Sequence, residues 1–447
     1  MMVYCICYLT SFLLTQAGWN IPSGLVLIGT ALWMYWQDYR DSKNLIHLRG
    51  LFFLGFLGGQ GISCFKLSNL QTSWSWMTWL CFFAAETAFY IGFSLTEDRD
   101  RKKWDAGSFS RNLKKEPSAT LRFSSLGRGR GRVIADSGGL LLAIMGIGAV
   151  SLTAFVIEAA ILGYIPFFTK GVPHAYSYFH ITGVHYFTVS CVLVLPLAVL
   201  FYLGKPRAKK WEKAVCAVSA AVSLIIPVLC VSRFQLIFSV GLSVFSYAAI
   251  KRQIRPGTIV IVAAAMIPLY VILTIARSHD VAYLNGIFEM KNSKMPIFIT
   301  QPYMYIANNY DNFNCLVEQL PSHTFGLRML FPVWALTGLK FLYPSLVSFP
   351  LYVTKEELTT VTLLYDAYYD FGLIGVIAFA ALLGGACGYL SRQFNRMQNP
   401  AGFLLYVQMA MYMALSFFTT WFSNPTTWFY LAATGAVWLL CEVVSRK

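Results

Sequence analysis

The chain has 447 residues, of which 57% are hydrophobic and only 12% charged. A soluble domain of this size carries about 25% charged residues to stay hydrated, so an aqueous globular fold is excluded and lipid is the expected solvent. The formal net charge of +15 raises nucleic-acid binding, but the basic residues sit in short blocks between long apolar runs, which is a membrane pattern.

A transmembrane helix needs about 20 largely apolar residues. Spans are predicted at 3–17, 21–36, 50–66, 76–95, 137–159 and 181–203, then at 214–231, 234–250, 257–276, 361–390, 402–421 and 426–443. The expected fold is therefore all-α and membrane-integral, a single polytopic domain over residues 1–447 with about twelve transmembrane helices. The first run, Val3 to Leu14, has no basic region before it, and Thr15-Gln16-Ala17-Gly18 is a poor cleavage site, so it is expected to stay as a span. With the N-terminus inside, the inner segments hold 26 of the 35 Lys and Arg residues. The positive-inside rule then places both termini in the cytoplasm. The segment 96–136 becomes a basic cytoplasmic loop, and 277–360 a large extracytoplasmic loop. The run Gly127 to Arg132 (GRGRGR) in the first of these is expected to meet anionic lipid headgroups. It is no dinucleotide fingerprint, because no strand precedes it.

Nearly all ten cysteines lie in apolar spans, where Cys packs as a small hydrophobe, so no disulfide framework is implied. Polar groups at membrane depth are expensive and are functional candidates by default. Residues 214–250 hold two spans and their turn in 37 residues, which draws Arg233 below the headgroup layer. There its bidentate fork either meets a bound phosphate or diphosphate or snorkels to lipid phosphate. Arg277 ends the next span at the same face, either as an ordinary interfacial anchor or as a second cation beside Arg233, whereas Lys66 reads as a simple interfacial anchor. Asp366 and Asp370, four apart, share a helix face. They serve either as N-terminal caps or as a general base on a sugar hydroxyl. Glu86 lies in mid-span, either as a proton-coupling group or as an acid kept neutral or paired within the bundle. Histidine spacing gives no metal site: His180 and His185 are five apart, where a helical ligand pair needs four. Within 277–360, Tyr303, Asn308, Asn309 and Asn312 mix rings and amides suited to sugars, or form ordinary surface. The stretch 329–350 is expected to lie on the membrane. Gly384 and Gly388 form a small-residue face for close helix packing.

Several pieces in order resemble the Wzy-type oligosaccharide repeat-unit polymerases of bacterial capsule, exopolysaccharide and O-antigen assembly. They are Gly163-Tyr164-Ile165-Pro166-Phe167-Phe168, Gly183-Val184-His185-Tyr186-Phe187, Ser232-Arg233, Asn308-Asn309-Tyr310-Asp311-Asn312-Phe313, and Tyr369-Asp370-Phe371-Gly372-Leu373-Ile374-Gly375. They span roughly residues 160–390. The chain departs from the pattern after Phe168, where similar polymerases often have Arg and this one has Lys170 and His174-Ala175-Tyr176. The resemblance implies a GT-C-like membrane glycosyltransferase of the bacterial cytoplasmic membrane. Its partners would be polyprenyl-diphosphate-linked oligosaccharide donor and acceptor, membrane lipids and a chain-length regulator, with no nucleic acid, cofactor or metal. Arg233 and Arg277 would stabilise the departing diphosphate. Asp370, or else Asp366 or His185, would take the proton of the attacking hydroxyl, and Tyr369 would join the sugar contacts. A glycan ligase of related fold shares this chemistry. A flippase or transporter fits the span count but should show two related halves, and no internal repeat is seen.

Overall fold

The computed structural model describes residues 1–97, 138–169, 175–252 and 281–445, with isolated positions 254, 257, 262 and 266. The predicted span 257–276 and the basic segment 96–136 fall largely outside these residues. The fold is all-α: among the described residues the only strand-like pairing is one isolated bridge, Ser68 to Met290. Among the described residues seven helices are long and apolar enough to cross a membrane, and the chain is a multi-pass membrane protein. The described residues group into two compact units, one from 1–97, 281–393 and 412–427, the other from 138–169, 175–252, 394–411 and 428–445.

The first unit opens with α1 (Met2–Gln16) and α2 (Asn20–Ser42), joined by a turn at Gly18 with φ of 81°. The hairpin is held by hydroxyls. Ser23 Oγ lies 2.6 Å from Ser11 Oγ and 2.7 Å from Thr15 Oγ1, an apolar-solvent way of joining helices. Leu48–Phe52, a π-helical stretch Phe53–Leu57 and Gly58–Ser63 run on as one helix, α3. It approaches α2 closely because Gly24 and Gly61 face each other's carbonyls. Then follows α4 (Trp76–Glu97). Between α2 and α3, buried His47 sits 3.5 Å from Asp38 and 3.6 Å from Glu97, while Arg49 forks onto Asp38. Burial works against the charge of His47, but the two carboxylates outweigh it and raise its pKa. Burial likewise opposes the charge of Asp38, yet His47 and Arg49 hold its pKa below the ordinary value.

The second unit carries α5 (Gly138–Leu162), α6 (Val184–Gly204), α7 (Lys210–Leu229) and α8 (Arg233–Lys251), which pack as successive antiparallel neighbours. The first unit resumes with α9 (Val281–Phe288), α10 (Ile297–Gln319) and α11 (Tyr365–Phe394). A side chain at Gly384 or Gly388 would strike the carbonyls of Phe89 or Phe93, so α11 crosses α4 backbone to backbone, as the glycine spacing predicts. The chain closes with α12 (Pro400–Ala414) and α13 (Pro425–Ser445). The run predicted as a span at 402–421 is helical only to Ala414, because the chain then turns through Thr420 and a short 3-10 helix at Trp421–Ser423.

Candidate functional site

The first two turns of α11 are set apart from the rest of the helix by a kink at Gly372. Its φ of 61° and ψ of −147° belong to a region that only glycine adopts readily. A side chain there would also crowd the imidazole of His323, with its Cβ 3.0 Å from Nε2. This short piece presents Asp366 and Asp370 on one face, as their spacing predicts. Both address the same neighbour, the segment 324–329. Asp370 is fully buried and accepts from the Thr324 hydroxyl, from Arg328 N at 3.2 Å and from Met329 N at 2.8 Å. Asp366 accepts from Arg328 Nε at 2.7 Å. The guanidinium lies over the rings of Tyr369, 4.5 Å from its centroid, and Tyr365 at 5.6 Å. Burial disfavours the charge of Arg328, but the Asp366 carboxylate beside it raises its pKa further above the ordinary value.

Arg328 and Asp366 line a cavity of about 370 Å³. Thr419, Thr420, Ser423 and Asn424 add hydroxyls and an amide to its wall, and Phe331 and Phe349 add aromatic faces. Its volume falls at the lower end of small-ligand sites. With Nε committed to Asp366, the two terminal nitrogens of Arg328 make no hydrogen bond among the described residues and are left for a ligand.

Both oxygens of Asp370 accept from the protein, so it anchors the segment that carries Arg328. Arg328 itself was not singled out in the sequence, where it is one more basic residue of the long segment 277–360.

The residues expected as sugar contacts in that segment lie on α10, a 23-residue helix. Asn308, Asn309, Asn312 and Tyr303 are buried. The Asn312 amide donates to Leu358 O at 2.7 Å and Thr360 O at 2.8 Å, and its oxygen accepts from Thr354 N. Asn309 donates to Phe417 O at 2.8 Å, Asn308 donates to Asn312 Oδ1 and accepts from Thr354, and the Tyr303 hydroxyl donates to Gln71 at 2.6 Å. These amides clip the 350s segment to the helix. Tyr369 is committed as well, with its ring under Arg328 and its hydroxyl on Pro350 O.

Lys66, read as a surface anchor, is buried and pairs with Asp311 at 2.6 Å. Trp74 Nε1, Gln71 and Ser63 also donate to Asp311, and Lys66 lies 4.1 Å from the Trp74 ring centroid.

In the second unit Glu158, one turn before the end of α5, is fully buried. It accepts from Ile181 N at 2.9 Å, Thr188 Oγ1 at 2.7 Å and His185 Nδ1 at 3.0 and 3.1 Å. Arg233 is buried and begins α8, where the helix dipole disfavours a cation. The helix order puts both at one end of this unit, where α5 and α7 finish and α6 and α8 begin. Phe167 and Tyr176 pack there against Val231. Arg277, the second half of the expected clamp, lies outside the described residues, as do Lys170 and His174. Among the described residues no group of three or more His, Cys, Asp or Glu is placed to hold a metal.

No family model, curated protein or solved structure matches the chain.

Proposed function

We propose that the chain is a membrane glycosyltransferase of the repeat-unit polymerase type. In this reading it joins polyprenyl-diphosphate-linked oligosaccharides at the outer face of the bacterial cytoplasmic membrane. It does so in a GT-C-like fold of about twelve spans with both termini inside. The observation that carries the reading is the cavity beside Arg328. There a guanidinium set on two tyrosine faces shares a cavity wall with hydroxyls and an amide. Such a lining suits a glycan: aromatic faces meet the sugar ring, hydroxyls and amides meet its hydroxyls, and the fork meets an anionic group.

The chemistry asks little more of the protein. A diphosphate is a competent leaving group, so cations that meet its developing charge lower the barrier without a general acid. Arg233 is the described candidate, with Arg277 beside it in the sequence reading. The long glycan is handed from its lipid carrier to the terminal sugar of the next lipid-linked repeat.

The test is the length distribution of surface glycan in a strain deleted for this chain. Loss of long chains with single repeats retained is the expected result. Full-length polymer left unattached to its acceptor would instead identify a ligase and overturn the polymerase reading.

A further inference from the structure

We infer that His185 is the proton acceptor of the transfer step and that Glu158 is its positioning residue; this rests on the glycosyl-transfer reading above. A carboxylate only accepts hydrogen bonds, so the 3.0 and 3.1 Å contacts require the proton of a neutral His185 to sit on Nδ1. That leaves the lone pair on Nε2, the nitrogen that makes no hydrogen bond among the described residues. The His185 side chain is 30% exposed while that of Glu158 is fully covered. The pair therefore has a sealed end and an open end.

The sealed end is held firmly. Ile181 N–H and the Thr188 hydroxyl occupy further lone pairs of Glu158, so the carboxylate cannot swing away from the imidazole. Tyr186 and Phe187, the next two residues, pack on Phe429 with ring centroids 5.7 and 5.0 Å apart. A buried anion behind a histidine fixes its tautomer and stabilises the imidazolium that forms when Nε2 takes a proton. An ion pair that merely pinned the start of α6 to α5 would have no use for an open second nitrogen.

The step balances as follows. The acceptor sugar hydroxyl gives its proton to His185 Nε2 while its oxygen bonds to C1 of the donor sugar. The bond from C1 to the diphosphate oxygen breaks, and its electron pair leaves with the polyprenyl diphosphate. Arg233, at the same end of this unit, meets that charge. The imidazolium then returns its proton to water.

The experiment uses the full chain purified into proteoliposomes and lipid-linked repeat units extracted from the deletion strain. His185→Asn keeps the Nδ1-side hydrogen bond to Glu158 and is expected to lower kcat by about a hundredfold or more, with little change in KM. Glu158→Gln is expected to lower kcat by roughly tenfold, again with KM kept, because the ring is held but its charge is no longer met. Imidazole in the buffer should restore part of the activity of His185→Ala. A rise in KM with kcat intact, or variants as active as the wild type, would overturn the assignment.

A second measurement needs no turnover. Diethyl pyrocarbonate should carbethoxylate His185 in the folded wild type, and mass spectrometry of the peptide reads it. An unmodified His185 would show that Nε2 is closed and would sink the inference whatever the substrate. A modified His185 in a protein that makes no polymer would instead leave the open nitrogen standing and refute the polymerase reading.

Discussion

Asp370 in the first unit and Glu158 in the second are both fully buried carboxylates, and each accepts from three groups. The donors to Asp370 are two backbone N–H groups and a hydroxyl, none of which changes charge. One donor to Glu158 is an imidazole whose far nitrogen is open. The same burial thus serves two ends. Asp370 fixes a backbone segment so that Arg328 stands at its cavity, and Glu158 fixes a ring that can accept a proton. Depth alone does not mark a reactive carboxylate. What matters is whether a donor has a second atom left to work with.

The sharpest break of this comparison is a third carboxylate, Asp311, whose partner Lys66 is also buried. Asp311→Ala leaves an ammonium without its counter-charge, at a cost of about 3–5 kcal/mol. We expect the variant to be lost from the membrane or to unfold far earlier in detergent. Normal abundance and thermal stability would mean that the pair does not hold α10 to the segment that follows α3.

Next comes Asp370→Asn. The amide replaces an acceptor with a donor opposite the N–H groups of Arg328 and Met329, leaving a buried group unsatisfied for about 1–3 kcal/mol. The expected outcome is a lower unfolding temperature together with faster proteolysis within 324–329. Stability equal to the wild type with turnover abolished would reverse the comparison and make Asp370 the reactive acid after all.

The smallest effect is a pH dependence from the Asp38–His47 cluster. The raised pKa of His47 contributes stability that is complete below its ordinary value of about 6.5 and is lost as pH rises through the folded value. The lowered pKa of Asp38 contributes stability present above about 4 and lost as pH falls through the folded value. Arg49 and Glu97 face the same cluster. Thermal stability should therefore be highest in mildly acidic buffer, and His47→Asn should flatten the alkaline limb. An unchanged alkaline limb in that variant would assign the dependence elsewhere.

Much of the helical frame was legible because hydropathy acts residue by residue. The predicted spans 76–95 and 234–250 differ from Trp76–Glu97 and Arg233–Lys251 by no more than two residues at either end. The shared face of Asp366 and Asp370 followed from helical spacing. The role of α10 did not. Its Asn and Asp side chains read as an open polar loop, and only partners distant in sequence, Lys66 and Trp74 on one side and Leu358 and Thr360 on the other, turn that polarity inward. Arg328 was hidden for the same reason, since the carboxylate that orients it lies 38 residues away. The Glu158–His185 pair joins two residues 27 apart, a separation that no helical period reports.

The most direct test of the central claim places a photo-crosslinking amino acid at Thr420, on the wall of the Arg328 cavity, in membranes containing radiolabelled lipid-linked repeat units. Illumination should attach label to the protein, and Arg328→Gln should remove most of that signal while the chain stays abundant. No adduct at Thr420, or equal labelling with and without the arginine, would contradict the assignment of this cavity to the glycan.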